Sequence, residues 1–166
     1  MAIRNWKDIP LFKDVTESAL KTDIEVLSDL DFSDANLTLP LGAFSDRTCI
    51  AYSGVFQGNG HTINGLRMNN TNKSGYSGVG LFCMLENATV ENIVIDSSCS
   101  FTGKYAGPLS VSYAGSLIVK NATNKASANG NSYGVGGFVG RIETNKTASL
   151  ISFEGCVNEG SITGLY

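Results

Sequence analysis

The sequence predicts an all-β chain, a right-handed parallel β-helix wound in coils of about 28 residues. Three observations carry that reading. Of the 166 residues, 19 are Gly and only 16% are charged, and Asn, Ser and Thr are plentiful, all poor formers of helix interiors. The 42% hydrophobic content falls in short, β-branched runs, which argues for many short strands and against disorder. Third, three segments begin alike, "YSGVGLFCML" at Tyr76, "YAGPLSVSYAG" at Tyr105 and "YGVGGFVGRI" at Tyr133, spaced by 29 and then 28 residues.

Each of those segments leads into an apolar run and then a small-residue stretch closing on Gly, so Gly103, Gly130 and Gly164 mark one point in successive units. A helix-free unit of this size cannot bury its own apolar face and must stack on neighbours. Alignment of the repeats gives three candidate core ladders: Phe82, Val111 and Val139; Leu85, Ala114 and Ile142; Ile95, Ala122 and Cys156. The closing glycines are expected to supply φ > 0 at the corners. The longer third unit places its extra residues at "ETNKTAS", and Pro108 and Ser110 suggest a local irregularity in the second.

Upstream, "IEVLSDLDFSDANLTLPLG" reads as two more strands and a loop. Residues 1–23 form an N-terminal capping segment, with Asp14 or Thr16 capping a short helix over residues 15 to 22. Such a segment would protect the bare strand edges at one end. Residues 24–166 form the β-solenoid repeats, and "ITGLY" stops where another unit would begin. The chain is therefore expected to be the start of a longer solenoid.

Composition excludes several functions. A net charge of −3 with 12 basic residues argues against a nucleic-acid partner. No apolar run approaches a membrane span, so membrane attachment would need an anchor outside this chain. The four cysteines, Cys49, Cys83, Cys99 and Cys156, lack metal-ligand spacing; they permit two disulfides in any of three pairings, or buried free thiols. No metal and no cofactor is expected.

The single histidine, His61, lies in "FQGNGHTINGL". Asn59-Gly60 and Asn64-Gly65 are turn dipeptides, and the "HTI" between them alternates as a strand does. No acidic residue stands near His61 in sequence to orient it as a base. It reads as a turn residue. Asp29, Asp31 and Asp34 in "SDLDFSD" are the one acidic cluster that could serve a glycoside-cleaving site, which needs converging carboxylates. They read instead as a polar strand edge with a turn-forming Asp. Thr38, Thr62, Thr89, Thr123 and Thr163 share no position in the units, so they form no ice-binding array. No catalytic residue is assigned.

Six N-x-[ST] sequons begin at Asn36, Asn69, Asn72, Asn87, Asn121 and Asn145, against about three expected by chance. They are the glycosylation candidates, expected to point outward at turns.

The stretches "LSDLDFSD…LPLGAF…YSGVFQGNGHTINGLRM", "GVGLFCML…VENIVID" and "GGFVG…FEGCVNEGSITG" resemble the GLUG-motif β-solenoid family, over roughly residues 24 to 164. The resemblance implies a right-handed parallel β-helix and a surface protein, and it makes the His61 stretch a structural turn between coils. The expected function is a non-catalytic extracellular or cell-surface module acting in adhesion, glycan contact or as a spacer. Its partners would be host or matrix glycans or proteins, or further copies of itself. A carbohydrate-active β-helix enzyme is the alternative.

Overall fold

The computed structural model describes residues 1–9, 19–44, 48–71, 77–142 and 150–164. The chain winds upward through short strands. Strand β1 (Ala2–Ile3) opens the first coil; β2 (Ile24–Val26) and β3 (Leu30–Asp31) follow. The next circuit holds β4 (Val55–Gln57), β5 (Thr62–Asn64), β6 (Arg67–Asn70) and β7 (Gly78–Val79). Then come β8 (Phe82–Glu91), β9 (Val94–Ile95) and β10 (Ser100–Ala106). Above them lie β11 (Ser110–Lys120), β12 (Thr123–Asn124), β13 (Ser127–Val135) and β14 (Val139–Ile142), and last β15 (Ile151–Glu154), β16 (Val157–Asn158) and β17 (Ile162–Gly164).

All pairings between these strands are parallel, in three sheets. One runs β1-β2-β4-β8-β11-β14, with β15 also on β11; the second runs β17-β13-β10-β6, with β7 on β10; the third runs β16-β12-β9-β5-β3. Strands of one sheet belong to successive turns of the chain, which is the definition of a β-solenoid, here of about four turns. The expected all-β fold is what the chain adopts. Of the helix expected over residues 15 to 22, residues 19–21 form one 3-10 turn, Thr22 is a bend, and residues 15–18 lie outside the described residues.

Side chains alternate across each short strand, and the inward set stacks into a continuous core. Phe56, Val90 and Val119 share one row, and Met68, Phe101 and Ala128 another; all are buried. Tyr52 stacks on Phe82 at 4.9 Å, and Phe56 meets Phe82 edge-on at 5.6 Å, the offset and T-shaped contacts that ring quadrupoles favour.

The register corrects two of the expected ladders by one residue and part of the third. Phe82 stands opposite Ser110, and Ser110 opposite Val139; Leu85, Tyr113 and Ile142 form the next row. The steps from Phe82 are thus 28 then 29 residues, the reverse of the spacing between the tyrosines. The tyrosines do not themselves form a row: Tyr105 stands opposite Gly78 and Gly134, the latter after a register shift between Gly103 and Tyr105. Ala122 and Cys156 do stack, each just before the paired Thr123 and Val157, but in the row of Ile93; Ile95 stands opposite Asn124. Val111 is nonetheless buried, as are Ala114 and Ala122.

Pairing runs on through the Pro108 region. The inward hydroxyl of Ser110 donates to the Ser112 carbonyl at 2.6 Å, and Ser112 Oγ to the Cys83 carbonyl at 3.2 Å, so neither buried polar group is left unmet.

Gly103, Gly130 and Gly164 share one row, as the repeats suggested. None of the three has positive φ, however. Gly103 is small for a packing reason: a Cβ there would crowd both methyls of Val79 at 3.1 Å. Positive φ falls elsewhere, at Asn92, Asn121 and Gly155. These follow Glu91, Lys120 and Glu154, themselves one row, so left-handed residues stack at one corner.

An excursion leaves the first sheet. Leu41 bridges to Phe82 and Tyr52 to Leu85, so the chain leaves the sheet after Leu41 and returns at Tyr52, where β8 spans the same distance with Cys83 and Met84 alone. The Cys49–Cys83 disulfide ties this excursion to the coil above it. Cys99 and Cys156 are free thiols.

Candidate functional surface

The His61 stretch is a turn, built as the glycines and asparagines suggest. Asn59 (φ 53°) and Gly60 (φ 79°) take the left-handed conformation, and the His61 amide donates to the Gly58 carbonyl at 2.9 Å. Asn59 Nδ2 reaches the preceding coil, donating to the Val26 carbonyl at 3.0 Å and to Glu25 Oε1 at 3.2 Å. Thr62 and Ile63 then start β5.

Sequence spacing missed one partner. Asp29 Oδ1 lies 3.2 Å from His61 Nδ1 and also accepts the Thr62 amide at 2.9 Å. Parallel stacking brings together residues 32 positions apart, because β3 and β5 pair with Leu30 opposite Ile63. The Asp29 side chain is exposed and that of His61 half-buried.

The three aspartates of the acidic cluster turn to separate partners. Asp31 accepts the Ser33 amide at 2.9 Å and its hydroxyl at 2.6 Å, which hold its carboxyl below the usual carboxylate range. Asp34 is lowered by Lys7 Nζ at 2.7 Å and Trp6 Nε1 at 2.9 Å. Lys7 comes from the N-terminal segment, whose Trp6 stacks on Phe32 at 5.7 Å. Asp29 holds the His61 turn. Asp96 repeats the Asp31 device two coils higher on the same face, its carboxyl lowered by the Ser98 amide.

Among the described residues no group of three or more His, Cys, Asp or Glu side chains is placed to hold a metal ion. No helix among them is long and apolar enough to cross a membrane.

Four sequon asparagines, Asn36, Asn69, Asn87 and Asn121, are exposed; Asn72 and Asn145 lie outside the described residues. Asn87 (φ 53°) and Asn121 (φ 50°) sit at left-handed corners. Asn87 Oδ1 accepts the Ser116 amide at 3.0 Å, where β11 carries Gly115 and Ser116 opposite the single Asn87 of β8.

A cationic aromatic patch also went unseen in the sequence. The Tyr105 ring has Arg141 Cζ 4.6 Å and Lys104 Nζ 5.3 Å from its centroid, within range of cation–π attraction. Arg141 reaches the ring because β14 and β10 lie in adjoining faces of one coil-on-coil stack; no linear spacing signals it. Arg141 also borders an open, mostly apolar groove of about 380 Å³ with Tyr113, Phe138, Val139 and Phe153.

No protein-family description matches the chain, and no curated protein does. Among solved structures, one similarity is to a Bacteroides ovatus protein provisionally assigned as an immunoglobulin A1 protease. The identity is 13% and the TM-score 0.42, with 98% of this chain and 82% of that chain covered. The chain is thus a β-solenoid module by its own strand pairing.

Proposed function

We propose that this β-solenoid is a non-catalytic module of the extracellular or cell-surface kind, of GLUG type, serving adhesion, glycan contact or spacing. The observation that carries the reading is the dispersal of its carboxylates: Asp29, Asp31 and Asp34 each serve a different turn or cap. General acid–base work needs two titratable groups within reach of one bond. Two further features support it. The Cys49–Cys83 disulfide suits an oxidising compartment, and four sequon asparagines face solvent on a stiff scaffold. For glycan contact, the Tyr105, Arg141 and Lys104 patch supplies an aromatic plane edged by positive charge, suited to carboxylated or sulfated sugars.

The test is a screen of pectin, alginate, chitin and glycosaminoglycans that follows binding and product release separately. Binding without turnover, weakened at least about tenfold by Arg141→Ala, is the expected result. One observation favours the enzymatic alternative, the Asp29–His61 contact, since a carboxylate beside an imidazole can orient a base. Product release that His61→Gln abolishes would establish that alternative.

A further inference from the structure

The charges of this chain are segregated by face. The first sheet carries Glu25, Glu86, Glu91 and Glu154, and the third carries Asp31, with Asp29, Asp96 and Glu159 at its strand ends. None of the 15 Asp and Glu residues lies in a strand of the second sheet. That sheet instead exposes Arg67 on β6 and Lys104 on β10, and the Tyr105 ring on β10 draws in Arg141. A chain with a net charge of −3 thus turns one positive face to solvent, and such a face attracts anions.

Between the cations lies a floor of short polar side chains. Met68, Phe101 and Ala128 form a buried row, so by alternation the rows on either side face out. These are Arg67, Ser100 and Ser127, then Asn69, Thr102 and Asn129. Among the described residues the partly exposed side chains of Ser100, Thr102, Ser127 and Asn129 make no hydrogen bond. Elsewhere such groups serve the fold, as Ser33 does on Asp31, Ser98 on the Gly65 amide and Asn121 on Asn92. Hydroxyls both donate and accept, and so does a side-chain amide, which matches the hydroxyls of a sugar. Arg67 is fixed at its end of the floor by Nε donation to the Ser98 carbonyl at 3.1 Å. Lys104 stands four residues beyond Ser100, so about 13 Å of strand separates it from the row of Arg67.

Resting on the reading of this module as one that contacts glycans, we infer that the second sheet is the contact face and that its ligand is a linear anionic polysaccharide laid along β10. Carboxylate or sulfate groups pair with Arg67 at one end and with Lys104 and Arg141 at the other, in charge-assisted hydrogen bonds. Sugar hydroxyls meet the Ser, Thr and Asn floor between them. Two features select a glycan over other anionic partners. Cations confined to the two ends of an uncharged floor do not match the unbroken phosphate line of a nucleic acid. The outward rows also hold no large apolar side chain to enter a membrane.

The experiment is isothermal titration of the chain, produced without glycans because one on Asn69 would lie over Thr102, the residue beside it. The probes are polygalacturonate oligosaccharides, which carry carboxylates, and heparin oligosaccharides, which add sulfates, with chitin oligosaccharides and single-stranded DNA for comparison. Binding of at least one anionic glycan is expected, weakened by added salt and unmatched by chitin or DNA. Arg67→Ala, and separately Thr102→Val with Asn129→Val, should each weaken it at least about tenfold with an unchanged circular dichroism spectrum. Lys125→Ala, which removes the same charge from an exposed position beside the third sheet, should leave it intact. Binding that Arg141→Ala weakens and Arg67→Ala does not would keep the Tyr105 patch and overturn the extended face. Equal loss in Lys125→Ala, equal affinity for DNA, or no binding of either anionic glycan overturns the inference as well. Product release would refute the non-catalytic reading alone, since the Arg67→Ala result reports on the face whether or not the glycan is cleaved.

Discussion

Asn121 Nδ2 donates to Asn92 Oδ1 across 3.1 Å, joining two left-handed residues of successive coils. Asn92 in turn donates to Gln57 Oε1 at 2.9 Å, so a ladder of amides climbs one corner of the solenoid. Asn suits the place because its short polar side chain tolerates φ > 0 and can bond its neighbour. Asn121→Ala should cost about 2 kcal/mol, summing the lost hydrogen bond and the backbone strain. Asn121→Gly should recover the backbone share only. Urea unfolding of the two variants separates the terms; equal losses would show that φ plays no part.

Phe82 is the hub of the aromatic contacts, between Tyr52 and Phe56, and is fully buried. Phe82→Ala is expected to cost about 3–5 kcal/mol, the transfer and cavity terms together. Val111→Asp should cost several kcal/mol as well, because Val111 is 2% exposed and a buried charge lacks a partner there. Thermal unfolding checks both, and a melting point within a degree or two of the parent's would contradict the packing described.

Removing the disulfide by Cys49→Ser with Cys83→Ser should destabilise the chain by about 3–4 kcal/mol, from the loop-closure entropy of a link spanning 34 residues. The strands themselves should persist, since Leu41 and Tyr52 still bridge to β8. A denaturation midpoint that reducing agent does not move would refute the estimate.

Acid should loosen the turns that aspartates hold. Asp31, Asp34 and Asp96 have carboxyls below their ordinary range, so the folded state binds those protons less readily than the unfolded one. Their contribution is present above about pH 4, the unfolded carboxylate value, and fades as pH falls through the folded values. Asp34→Asn should flatten the acid limb of the stability curve.

The free thiols should differ in reactivity. Burial pushes the Cys99 thiol up to about 11, and it is 1% exposed, whereas Cys156 is half-buried in the last coil. At pH 8 a thiol reagent should modify Cys156 and spare Cys99 until the protein is unfolded. The neutral Cys99 contributes stability below about pH 8.5, its unfolded value, which is lost as pH rises toward 11. Fast modification of Cys99 in the folded protein would place it outside the core.

Much of the architecture could be read from local sequence. The recurrence at Tyr76, Tyr105 and Tyr133 named a solenoid, and the row of Gly103, Gly130 and Gly164 survives in the strand pairing. Turn chemistry at Asn59-Gly60 was equally legible, because φ preference belongs to the residue itself. Ladder register was not: β13 carries two extra residues against β10 between Gly103 and Tyr105, Ser110 and not Val111 stands opposite Phe82, and no local composition announces either.

The sequence by itself determined the fold class and the turn at Asn59-Gly60, since these depend on backbone preference and on the alternation of apolar side chains. Only the tertiary structure decided which side chains meet across coils: Asp29 with His61, Trp6 and Lys7 with Asp34, Cys49 with Cys83, Arg141 with Tyr105. The reason lies in the stacking. Each such contact joins residues about one turn of the chain or more apart, and a single inserted or bulged residue in the intervening coil changes every partner above it.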